Sequence, residues 1–189
     1  MSDQLNKMSA SDTVTADDLT NQIGLLHADP QKYLELVERY IQQNPSDPHG
    51  YFARHQAWMR LDKPELALED LNRELDLVVK ESVFECRGEV HRYMGRYEEA
   101  VGDFNRAETL DREEWEGGFG LLFRADCQAR LGNEAAALAD CLRLPDNHWT
   151  PGHFNLPPGN KEEVADWLRR MAAWARGSSP RLRPDGREC

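Results

Sequence analysis

The chain has 189 residues and a net charge of −11, with 34 acidic side chains against 23 Lys and Arg. The excess lies in the body, because residues 1–13 sum to −1 and residues 177–189 to +1. Such a balance argues against a nucleic-acid binder, which usually shows a basic stripe, and mildly favours a basic partner. No run approaches the roughly 18 consecutive apolar residues that a membrane helix needs.

The N-terminus, "MSDQLNKMSASDTVTADD", is polar and acidic. It lacks the basic start and apolar run of a signal peptide and the Arg-rich character of a transit peptide. The closing "GREC" puts its cysteine too late for a prenylation box. These features predict a cytoplasmic protein, with residues 1–13 disordered. Cys86, Cys127, Cys141 and Cys189 form no C-x-x-C pair, and the first three fall in helical patterns, as buried thiols do.

A weak helical pattern covers 16–26. It is followed by "DPQKYLELVERYIQQNPSDP" (29–48), in which Tyr33, Leu34, Val37, Tyr40 and Ile41 share one face at helical spacing. Three later segments share a register: "ALEDL" (67–71), "AVGDF" (100–104) and "ALADC" (137–141). Their alanines lie 33 and 37 residues apart, a period that marks helical repeats. Sixteen residues before each alanine stands Tyr51, Phe84 or Leu121, and twelve before it His55, Gly88 or Ala125. Five before it stands Asp62, Gly95 or Gly132, where a left-handed cap ends one helix and lets the next begin. Each copy therefore reads as a helical hairpin.

The pattern resembles the tetratricopeptide repeat, a helix–turn–helix unit of about 34 residues. The copy at 81–114 matches at Phe84, Gly88, Gly95, Tyr97, Ala100, Phe104 and Ala107 and departs at His91 and Arg112. The copy at 48–80 matches at Tyr51, Trp58, Ala67 and Leu71 and departs at His55 and Glu74. The copy at 118–148 matches at Leu121, Ala125, Gly132 and Ala137. A three-residue excess near "REEWEGG" (112–118) separates the last two. Pro45 closes a degenerate unit at about 14–47. The resemblance implies an all-α fold, an α-α superhelix or right-handed solenoid of about three hairpins within a domain spanning 14–176.

The stretch 144–160, rich in proline and glycine, reads as a loop. Asn160 and Glu163 then form a capping box for a helix over 161–176, whose stripe of Val164, Trp167, Leu168, Met171 and Ala175 would cap the array. Residues 177–189 have no periodicity and read as a flexible tail.

Candidate chemistry is thin. Glu89 and His91 are two apart on a helix and do not face each other. Gly88 and Gly95 have no preceding strand, so they are no phosphate loop. His148, His153 and Cys141 fall short of the about four ligands of a structural zinc site. An enzyme or metalloprotein using the 144–160 loop is the least favoured reading. Asp70, Asp103 and Asp140 are expected on exposed flanks of second helices or paired locally with Arg or Lys. No nucleophile, base and orienting group come together, so no enzyme, cofactor or metal is expected.

What remains is a surface. The resemblance implies that first helices line a concave groove: His49, Phe52, Gln56, Met59 and Arg60, then Glu85, Glu89, Arg92 and Tyr93, then Phe119, Leu122, Asp126 and Arg130. Within the central stretch, Glu89, Arg92 and Tyr93 look available to a partner. Apolar anchors with acids between them suit a protein or peptide segment bearing basic residues. The acids stand where relatives that grip a C-terminal carboxylate carry cations, so that ligand is not expected. A non-catalytic adaptor is the first reading and a cytoplasmic chaperone for a secreted protein the alternative. The oligomeric state stays open, with Trp115 or Trp149 as exposed candidates for self-association.

Overall fold

The computed structural model describes residues 13–117, 119–151, 156 and 158–177. It divides into two units, one ending at Val79 and the other beginning at Lys80. Each is an assembly of antiparallel helices.

The first unit contains α1 (Ala16–Asn21), α2 (Ile23–Ala28), α3 (Pro30–Gln43), α4 (Pro48–Arg60) and α5 (Pro64–Leu77). The expected helix over 16–26 is divided at Gln22, which caps α1 and opens α2. Thr15 and Asp18 close a capping box on α1. Proline begins α3, α4 and α5, where its missing N–H costs nothing. Asp47 caps α4 through His49 N and also accepts a hydrogen bond from the Tyr40 hydroxyl, tying the end of α3 to the start of α4. The core joins Tyr33, Leu34 and Val37 of α3 to Tyr51, Ala53 and Ala57 of α4.

The second unit contains α6 (Glu81–Tyr93), α7 (Tyr97–Leu110), α8 (Arg112–Gly117), α9 (Gly120–Arg130), α10 (Glu134–Arg143), β1 (Trp149–Pro151), β2 (Pro158–Asn160) and α11 (Lys161–Ala175). Two elements were not expected. The excess between hairpins folds into α8, and the 144–160 segment holds an antiparallel pair with Thr150 opposite Gly159. The capping box of α11 is present, with Asn160 accepting from Glu163 N and Glu163 reaching back to Asn160 N.

Three turns repeat one geometry. Lys63 N donates to Trp58 O, Arg96 N to His91 O and Asn133 N to Gln128 O, at 2.9, 2.9 and 2.8 Å. The closing residue is left-handed each time: Asp62 at φ 55°, Gly95 at 76° and Gly132 at 80°. This is the helix-ending motif that favours glycine.

Trp115 is not the exposed candidate for self-association that the sequence suggests. It is 1% exposed in the core of the second unit. Its indole lies against Gly120, where an added Cβ would stand 2.1 Å from Nε1. Trp149, at 62%, is exposed.

Candidate interaction surface

A device common to all three hairpins lies behind the surface. Arg54 of α4 meets Asp70 of α5, Arg87 of α6 meets Asp103 of α7, and Arg124 of α9 meets Asp140 of α10. Each pair is separated by 16 residues and joined through both Nε and Nη2, with Nη2 to carboxylate distances of 2.6, 2.6 and 2.7 Å. The three aspartates are buried, so the exposed-flank expectation fails and the pairing with arginine is what the structure holds. Two-pronged guanidinium–carboxylate contacts are strong and fix geometry. The signal was in the sequence: an arginine stands thirteen residues before each repeated alanine.

Arg124 extends its latch. It donates to Glu108 at 2.6 Å and Asn105 at 2.8 Å, and lies 4.5 Å over the Trp115 ring. Burial opposes ionisation of Glu108, but hydrogen bonds from Arg124 and Arg143 outweigh it and draw its pKa down to about 2.

In the first unit, His49 and Arg60 are exposed, and Phe52, Gln56 and Met59 are half-buried. Phe52 meets the buried His55 edge to face at 4.9 Å. Burial pushes His55 down to about 4.

In the second unit the expected groove residues separate into two kinds. Leu122 and Asp126 are buried at 1% and 0%, which removes both from any contact surface. Asp126 accepts from Arg92 Nε and Arg130 Nε, both at 2.7 Å, and so joins α6 to α9 across 34 residues of chain. Arg92 lies 4.7 Å over Phe123, and Arg130 lies 5.5 Å over Tyr97 and 5.7 Å over Trp167. The expectation that Arg92 stands ready for a partner is therefore corrected: its side chain is only 9% exposed and is committed to Asp126.

The other kind faces outward. Tyr93 is 55% exposed and Phe119 47%, the latter stacked on Phe123 at 5.6 Å. Glu85 and Glu89 are half-buried on the same helix as Tyr93. Burial, and then the charge of Glu85, raise the pKa of Glu89 to about 7 against the pull of Arg92.

Elsewhere the chemistry is muted. Burial raises the pKa of Cys127 and Cys141, holding both as thiols. His91 lies 3.7 Å from Asp103, on the packing side of its hairpin. Among the described residues no three His, Cys, Asp or Glu side chains gather as a metal site would need, and His153 and Cys189 lie outside those residues. No described helix is long and apolar enough to cross a membrane.

Repeated hairpins with one turn geometry and one latch define a helical-repeat protein. The repeats have the tetratricopeptide fold. A solved structure described as "YrrB: a TPR protein with an unusual peptide-binding site" matches with a TM-score of 0.62 at 16% identity, covering 87% of this chain and 79% of that one. A structure of MamA protein matches at 0.62 and 11% identity, covering 86% and 81%. In sequence, the chain is 33% identical over 123 residues to human tetratricopeptide repeat protein 16, covering 58% of this chain and 14% of that relative's length. No family model matches the chain.

Proposed function

We propose that the protein is a cytoplasmic, non-catalytic interaction adaptor that docks a peptide or protein segment on the faces of its first helices. The observation that carries this reading is the outward placement of Tyr93 and Phe119, two large aromatic side chains left 55% and 47% exposed on α6 and just before α9. Exposed aromatics on a rigid scaffold are what partner recognition uses. In the first unit, His49, Phe52, Gln56, Met59 and Arg60 are offered as a second contact set. Leu122, Asp126, Arg92 and Arg130 support the surface from beneath. The peptide-binding site named for the YrrB structure lends the reading support by fold.

Affinity capture from the native host tests it. The wild-type chain should retain a stoichiometric partner that Tyr93→Ala with Phe119→Ala loses while its helical circular dichroism is unchanged. Equal retention by both removes this face. If the partner is secreted and stays soluble only on co-expression, the adaptor acts as its chaperone.

A further inference from the structure

α11 repeats the first-helix register of the hairpins before it. Gly177 follows α11 at φ 71°, in the left-handed region where Asp62, Gly95 and Gly132 end α4, α6 and α9. Its N–H donates to Trp174 O, as Asp62 N does to Met59 O, Gly95 N to Arg92 O and Gly132 N to Ala129 O. Eight residues before those three turns stand the latch arginines Arg54, Arg87 and Arg124, and eight before Gly177 stands Arg169. Five before each turn the helix is buried, at Ala57, Val90, Cys127 and Ala172. The packing agrees with the count. Arg124 reaches back to Asn105, ten residues after the preceding turn. Arg169 shares a groove of about 590 Å³ with Leu142, ten residues after Gly132, and with Leu138 and Ala165. Leu142 is 74% exposed there. Arg169 is exposed too, and no hydrogen bond or ion pair ties it to a described residue. Its neighbour Arg170 is paired with Asp166 at 3.1 Å.

Each latch closes sixteen residues after its arginine, on Asp70, Asp103 and Asp140. Sixteen after Arg169 is Asp185, in the segment 178–189 outside the described residues. We propose that this segment folds back on the groove between α10 and α11 as an intramolecular strap, and that Asp185 takes Arg169 as a fourth latch. Charge and length both suit it. The groove offers an uncommitted guanidinium, and the segment brings the matching acid. Eight helical residues from Arg169 to Gly177 cover about 12 Å, and eight residues of chain from there to Asp185 reach up to about 26 Å. Leu182 falls five residues after the turn, at the place of Ala67, Ala100 and Ala137, and supplies apolar surface for Leu138 and Leu142. The strap is looser than a full hairpin. Arg170 stands in the place of Gly88, whose missing side chain lets Phe104 close in: a Cβ there would lie 2.8 Å from that ring. Pro184 also withholds an N–H that a regular helix would use. The latch therefore carries the attachment.

The test follows the full chain under a broad-specificity protease at several protein concentrations, with loss of the last residues read by intact mass. Wild type should lose its segment about fivefold more slowly than Asp185→Asn or Arg169→Gln, an opening cost of about 1 kcal/mol. Arg169→Asp should be cut as fast as these, and Arg169→Asp with Asp185→Arg should regain the wild-type rate. Helical circular dichroism should be the same for all of them, since Arg169 is on the surface. Equal cleavage of wild type and Asp185→Asn, or a charge swap that restores no protection, overturns the inference. Protection that fades on dilution overturns it as well, because the groove then belongs to the segment of a second copy.

Discussion

Arg124 and Asp140 meet through two hydrogen bonds of 2.7 Å, each side chain only 8% exposed. The equivalent pair in the first unit, Arg54 and Asp70, is built alike, but Arg54 is 26% exposed. Water can therefore repair the loss of one latch better than the loss of the other.

Replacing Arg124 with Met should cost about 3–5 kcal/mol, because it removes both strong hydrogen bonds from the buried Asp140, leaving it only Arg143 at 3.5 Å, and a third from Glu108. Arg54→Met should cost about 1–2 kcal/mol, because the Arg54 side chain is 26% exposed and water can enter the space it leaves beside Asp70. Urea unfolding of the two variants checks the order, and a larger loss at Arg54 would refute the burial argument.

Acid should weaken the second unit through Glu108. Its folded pKa of about 2 lies below the ordinary 4.5, so its stabilisation is fully present above the unfolded value and is lost as pH falls through that window. Glu108→Gln should be less stable than wild type at pH 7 and flatten the decline between roughly pH 4.5 and 2. His55 adds a higher step. Its pKa is lowered to about 4, so protonation begins to cost stability as pH drops below 6.5.

Glu89 runs the opposite way. An acid raised to about 7 favours its neutral form in the fold, so its contribution falls as pH climbs from 4.5 towards 7. Glu89→Gln should match wild type near pH 4 and exceed it by about 1–2 kcal/mol at pH 8. Thermal melts at the two pH values decide; a variant less stable at pH 8 contradicts the stated environment.

Gly120→Ala places a methyl 2.1 Å from the Trp115 ring nitrogen. A rigid indole held under Arg124 has nowhere to yield, and overpacking of this kind costs about 1–3 kcal/mol. Tryptophan emission should shift to the red as Trp115 is displaced. Gly95→Ala, at φ 76°, should cost about 1 kcal/mol through backbone strain, with tryptophan emission unchanged.

The hairpins were legible because their signals are local. Gly95, Tyr97, Ala100 and Phe104 lie within ten residues, and each is dictated by a helix end or a packing stripe. The latches were legible too, through the arginine thirteen before each alanine, although one must ask what neutralises Asp70, Asp103 and Asp140 before that spacing means anything. The surface was not. Asp126 looks like an ordinary helical acid until Arg92, 34 residues earlier, is seen to reach it. Leu122 and Phe119 are three apart and both apolar, yet one is buried and the other exposed. Trp115 of α8 packs against Gly120 at the start of α9, and that six-residue helix carries too little periodicity to announce itself.

The latches also bear on how such a chain can change its length. Arg54 and Asp70 lie in one hairpin, as do Arg87 and Asp103, so a duplicated or excised hairpin carries both charges with it. Copy number can drift through unequal recombination with no orphaned ion left in the interior. The Arg92–Asp126 contact breaks that freedom, since its partners belong to successive hairpins. Whatever ancestral shuffling the register permitted, the order of the hairpins beginning at Glu81 and Gly120 is held by that contact.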